Sequence, residues 1–160
     1  MNEELKNRFS ISTDKGKLNL ETIHNFLKNS YWAENIPLSV VEKCINNSFC
    51  FGVYEGDKQV GFGRLITDYA TFAYFSDVFI LEEYRGLGLG KWLVETMLQH
   101  PEVQGLRRWL LATKDAQELY RHFGFQEVKS SDSIVFMEIV RRDVYKSIGL
   151  THSAKFSTRE

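Results

Sequence analysis

Three glycines at alternate positions, Gly86, Gly88 and Gly90, lie between Arg85 and Lys91, where the apolar run 78–81 gives way to an amphipathic stretch from Trp92 to His100. A loop of this kind that opens a helix presents unpaired main-chain N–H groups and the positive end of the helix dipole. Its chemistry is anion binding, and the glycine density suits a diphosphate cradle. Two other phosphate loops do not fit. A P-loop needs glycine where Arg85 stands and Ser or Thr where Trp92 stands. The dinucleotide fingerprint needs its third glycine at the position of Lys91. A glycine-rich turn without a ligand is the alternative, and it leaves both the flanking cations and the entropic cost of ordering glycine unexplained.

The other reactive residue types are scattered. Cys44 and Cys50 have neither metal-type nor CxxC spacing, and neither falls near the glycine loop. His24, His100, His122 and His152 show no ligand spacing, so no metal is expected. A net charge of −1 supplies no global field to attract nucleic acid, so any anion site must be local. No stretch approaches the ~20 apolar residues of a spanning helix, and 1–6 is polar without an apolar signal core. The expectation is a cytoplasmic protein with no nucleic-acid or membrane partner.

These groups need elements to position them. The length of 160 residues suits one domain, 1–160, with a core over about 8–140 and a polar tail over 141–160. Alternation at Phe9 and Ile11 predicts a first strand ending at a turn over 14–16, and Leu20, Ile23, Phe26 and Leu27 recur at helical spacing. Ser39 is placed to cap a second helix carrying Val40, Val41, Cys44 and Ile45. Strands follow over 49–55 and 59–66 around a Gly56-Asp57 turn, and a long aromatic and β-branched strand over 71–81 runs into the glycine loop. A helix from about Gly88 to His100 stops at Pro101. A short strand over 109–112, a helix capped by Asp115 and ended by Gly124, a strand from Phe125 and a last strand over 134–140 complete the chain. The order predicts an α/β (α+β) domain, helices covering both faces of a central sheet.

The strand, glycine loop and helix, followed by Asp115-Ala116-Gln117-Glu118-Leu119-Tyr120-Arg121-His122-Phe123-Gly124-Phe125, resemble the GNAT superfamily of N-acetyltransferases. Arg85, Gly88 and Gly90 match that family's acetyl-CoA motif. The resemblance implies a mixed, mostly antiparallel sheet of about seven strands, with a splay between the fourth and fifth. It implies acetyl-CoA as cofactor, held by the main chain of Val78, Phe79 and Ile80 along pantetheine and by the amides of Gly86, Leu87, Gly88, Leu89, Gly90 and Lys91 on the pyrophosphate. Arg85 and Lys91 add charge or stand as solvated rim residues. Tyr120 matches a tyrosine placed beside the thioester sulfur, where a phenol protonates the departing thiolate; the alternative is a packed core tyrosine. Thr113 stands where members carry an Asn that contacts pantetheine, Glu82 where many carry Pro, and Arg108 where some carry a glutamate base.

The activity implied is transfer of acetyl to a primary amine of a small molecule or peptide by direct attack in a ternary complex. A catalytically silent acyl-CoA-binding sensor or interaction module is the alternative, and a homodimer is compatible with the family. An ammonium must lose a proton before it attacks, and Asp77 is the nearest carboxylate on the fourth strand, with Asp68 and Glu83 as further candidates and ordered water as another. Tyr31, Trp32, Phe72 and Tyr74 lie where the family builds its acceptor pocket, and such rings either hold an amine through cation–π contact or simply pack.

Overall fold

A turn at Gly56, whose φ of 56° suits a residue without a Cβ, folds β2 (Phe49–Glu55) back on β3 (Lys58–Thr67). This hairpin is the middle of the sheet in the computed structural model, which describes residues 3–128, 136–140 and 145. Outside it, β1 (Phe9–Ser12) pairs antiparallel with β2, and β4 (Phe72–Ile80) pairs antiparallel with β3. The short β5 (Arg108–Leu110) joins β4 in parallel, giving the order β1-β2-β3-β4-β5.

Helix α1 (Glu3–Arg8) leads into β1, an element the polar start of the chain does not announce. Helix α2 (Leu20–Leu27) starts at Asn19, whose side chain accepts from the Thr22 N–H, and α3 (Leu38–Asn46) follows Pro37 without a side-chain cap. Ser39 is therefore inside α3, not its cap. Ile23 and Leu27 of α2 and Val41 and Ile45 of α3 pack with Cys50, Phe62 and Phe79 on one face of the sheet. On the other face, Leu89, Leu93, Val94 and Met97 of α4 (Leu89–Gln99) cover Phe51, Val53 and Leu65. Each of these fully buried aliphatic side chains contributes roughly 1.5–3 kcal/mol by leaving water. Helix α5 (Gln117–Arg121) closes the second core through Tyr120.

One irregularity sets the geometry of everything that follows. Phe62 opposes Phe79 across the β3–β4 ladder but Arg64 opposes Ser76, so two steps on β3 face three on β4. The extra residue of this β-bulge is absorbed at Asp77, which sits at φ 53°. Aspartate enters this left-handed region more readily than most side chains. The bulge breaks the alternation of β4: Phe75 and Val78 belong to the α4 side, whereas Asp77 meets Arg64 and Phe79 packs on the α2–α3 side.

Five strands form among the described residues, against the expected seven. The stretches 125–128 and 136–140 carry no strand pairing, while 134–135 and all of the tail except residue 145 lie outside the described residues. The apolar composition of 136–140 suits a strand, but strand pairing needs a partner edge; Met137 and Ile139 are left 92% and 90% exposed.

Candidate active site

The glycine loop begins where a short 3-10 turn over Glu82–Tyr84 ends, and it delivers the chain to α4 through Gly88. Gly86 and Gly88 have φ of 79° and 83°, and a Cβ added at either would meet nothing within 4 Å. Backbone conformation, not crowding within the protein, is what asks for glycine there. The Trp92 N–H is the first to enter the helical ladder, donating to the Gly88 carbonyl at 3.1 Å. The N–H groups from Gly86 to Lys91 donate to no acceptor among the described residues. No side chain caps this helix, so the row of donors and the dipole behind it are open to an anion. Arg85 folds its Nε onto the Ile80 carbonyl at 3.2 Å, which keeps its charge beside the end of β4, whereas Lys91 is exposed.

Strands β4 and β5 pair only from Phe72 to Tyr74 and then part. Between them lies a cavity of about 1370 Å³, bordered on one side by 74–80 of β4 with Arg85 and Gly90, and on the other by 112–116, Leu119 and Tyr120. The splay expected between the fourth and fifth strands is thus present, with Val78, Phe79 and Ile80 along one bank. A buried stretch of β4 with no strand on that edge is a surface to which an extended amide chain adds as a further strand.

Tyr120 is 8% exposed, held edge-on by Phe75 and Phe125, and borders the cavity. Burial, with smaller contributions from Tyr31, Asp115 and Tyr74, pushes its phenol up to about 12, so the hydroxyl keeps its proton through the neutral range. Thr113 borders the same cavity, and its Oγ1 accepts from the Ala116 N–H at 3.0 Å; α5 starts after Ala116 with no side-chain cap, so Asp115 does not perform the capping expected of it. Asp115 instead accepts from the Tyr31 hydroxyl at 3.4 Å, and that hydroxyl accepts from the Lys114 N–H at 3.0 Å. Tyr31 in this way ties the α2–α3 connection to the segment after β5 across the cavity.

Asp77 also borders the cavity, but it is not a free carboxylate. Its Oδ2 accepts from Arg64 Nε at 2.6 Å and its Oδ1 from Trp32 Nε1 at 3.1 Å, with both charged residues 9% exposed. Trp32 packs edge-on to Tyr31 and tilts against Phe26, which stacks on Phe79 at 3.8 Å. Tyr31, Trp32 and Tyr74 line the cavity, whereas Phe72, at the paired start of β4, does not. Asp68 holds the β3–β4 turn, accepting from the N–H groups of Ala70, Thr71 and Phe72 and from the Thr71 hydroxyl. Those bonds draw its carboxyl far below the usual range, which makes it a poor base. Glu83 is exposed beside Lys58 at 3.8 Å. Arg64 escaped notice in the sequence, although a cation two positions from Phe62 in an apolar strand shares its buried face.

The comparisons with known proteins agree with this geometry. Residues 46–127 match the model of the acetyltransferase (GNAT) domain. A candidate acetyltransferase of Gibberella zeae is 30% identical over 150 residues, which cover 79% of this chain and 84% of that protein. Among solved structures, a candidate acetyltransferase of the GNAT family from Xanthomonas campestris pv. campestris is 43% identical, with a TM-score of 0.80 over 86% of this chain and 96% of that one. A GNAT family acetyltransferase from Elizabethkingia anophelis, solved with acetyl-CoA bound, is 11% identical with a TM-score of 0.61 over 78% of this chain and 80% of that one, a likeness of fold.

Proposed function

This chain belongs to the GNAT acetyltransferase family, and from that premise we propose that it moves the acetyl group of acetyl-CoA to a primary amine of a small molecule or peptide, both substrates being bound together. The observation that carries the reading is the row of undonated N–H groups from Gly86 to Lys91, on a loop that borders a cavity reaching Tyr120. The residues present fit the cofactor: the loop offers open space at two glycines of positive φ, and the splay of β4 from β5 leaves room for an extended arm. When bound, acetyl-CoA supplies an acetyl group activated as a thioester.

The chain's own groups then have defined tasks. The amides of 86–91 and the charge of Arg85 hold the diphosphate, and Thr113 stands beside the arm that the main chain of Val78, Phe79 and Ile80 receives. Tyr120 keeps a proton at its hydroxyl for the sulfur that leaves. Asp77 takes the proton that the acceptor amine gives up, directly or through water. Each of its oxygens already accepts one hydrogen bond, and each retains a second lone pair. Tyr31, Trp32 and Tyr74 supply ring faces for the cationic amine before it is deprotonated. The two free thiols, Cys44 and Cys50, accord with a reducing, cytoplasmic compartment.

The test is release of free thiol from acetyl-CoA across polyamines, amino acids, aminoglycosides, arylalkylamines and peptides, alongside calorimetric titration with CoA. Binding of CoA with turnover of at least one class supports the transferase. Binding with silence across the whole panel identifies a CoA-binding module instead.

A further inference from the structure

The Arg64–Asp77 pair is more than a buried tie between two strands. A guanidinium carries five N–H donors. Arg64 spends Nε on Asp77 Oδ2 and one Nη1 hydrogen on the Ser48 hydroxyl at 3.0 Å. Its Nη2, with two N–H groups, has no partner, and no further bond of this residue exists among the described residues. Nor is Nη2 sealed away from solvent, because the sole fully buried side-chain N or O without a partner among the described residues is the Tyr54 hydroxyl. Arg64 lines the cavity and is only 9% exposed, and its Nη2 is left without a partner among the described residues.

A cation so far out of water, beside a cavity and with part of its donor set unpartnered among the described residues, is complementary to an oxyanion brought in by a ligand. With Nε and one Nη1 hydrogen already engaged, Nη2 is left to donate to one oxygen of a carboxylate. Immediately beside it, Asp77 precedes Val78 and bears the opposite charge, with lone pairs left for an ammonium. The bulge that pushes Asp77 into positive φ is what sets it on the Arg64 face of β4. Trp32 reaches the same carboxylate through its indole Nε1 and packs edge-on against Tyr31, and both line the cavity.

We propose that the acetyl acceptor is an amine that also carries a carboxylate, an amino acid in the chemical sense, with Arg64 Nη2 holding its carboxylate and Asp77 facing its amine. This rests on the acetyl-transfer reading and narrows it. The two charges of the pair read the two charges of a zwitterion, so an amine stripped of its carboxylate leaves Nη2 unmatched.

Matched acceptors decide it: L-phenylalanine against phenethylamine, L-tyrosine against tyramine, L-lysine against cadaverine, and glycine against methylamine, each assayed by thiol release from acetyl-CoA. The proposal expects kcat/KM for the carboxylate-bearing partner to exceed that of the bare amine on the order of 10²-fold in at least one pair, since a site built to hydrogen-bond a group rejects the analogue lacking it. Arg64→Lys keeps a charge beside Asp77 but loses the fork; it should cut that preference about ten-fold, with the Kd for CoA unchanged. A purely structural ion pair would lower turnover of both members of a pair alike. Equal or better use of the bare amines, or no calorimetric binding of any of the four amino acids to the CoA-loaded protein, overturns the proposal and leaves acetyl transfer standing. Absence of both CoA binding and thiol release overturns the two together. The wild-type acceptor ratios decide the question even where the lysine variant does not fold.

Discussion

In the proposed reaction one side chain, Tyr120, serves both packing and chemistry. Its ring belongs to the core around Phe75 and Phe125, and the burial that holds it there also pushes the phenol up to about 12. Burial disfavours the phenolate, so the proton is retained and remains available to a leaving thiolate. Tyr120→Phe is expected to lower kcat on the order of 10²-fold while the Kd for CoA stays within about two-fold, measured by steady-state kinetics and calorimetry. The pH profile carries the same sign. The donor is lost only as pH rises through the raised value, so kcat/KM for acetyl-CoA should show no decline assignable to this group below about pH 11, and a fall near pH 10 would contradict the assignment. The place of Tyr120 beside the cavity was legible in the sequence because its motif is local. The pairing of Asp77 was not, because Arg64 and Trp32 reach it from 13 and 45 residues away and only the fold brings them together.

At the scale of elements, two loops show what local sequence can and cannot announce. The glycine loop was legible because positive φ at Gly86 and Gly88 requires the residue type that marks it. Gly88→Val should cost about 1–2 kcal/mol in stability from left-handed strain, seen as a drop of a few degrees in Tm, and should weaken CoA binding about ten-fold or more. The bulge in β4 was hidden, since an extra residue in one strand is visible only against the register of its partner. Asp68 looked like a base in the sequence and proves to be the residue that ties the β3–β4 turn. Its carboxyl is depressed in the folded protein, first by the Thr71 hydroxyl, so the stabilisation it brings is fully present above the unfolded value near pH 3.9 and is lost as pH falls through the lower folded one. Thermal melts of wild type and Asp68→Ala should therefore differ in Tm by a constant amount at pH 5 to 8, and the gap should narrow progressively as pH falls below about 4. A gap that stays unchanged from pH 5 down to pH 2 would assign the effect to something other than the carboxylate.

For the whole molecule, two cores packed on opposite faces of one sheet make the cavity possible. Helices α2 and α3 with Phe62 and Phe79 form one, and α4 and α5 with Phe51, Val53 and Phe75 form the other. Because β5 leaves β4 after Tyr74, the cavity runs between the strands and receives Phe26 and Trp32 from the first face and Tyr120 from the second. Alternating apolar residues in the strands and helical periodicity in α2 and α4 made this two-faced arrangement readable. Strand count was less so, because the apolar residues of 136–140 satisfy the pattern of a strand without the pairing. The proposed function depends above all on the main-chain donors at the start of α4. Amide resonances followed by NMR during titration with CoA, and separately with pantetheine, test it directly. CoA is expected to shift the amides of 86–91 strongly, whereas pantetheine, lacking the diphosphate, should leave them near their free positions. Unmoved amides at 86–91 in the presence of saturating CoA would contradict it.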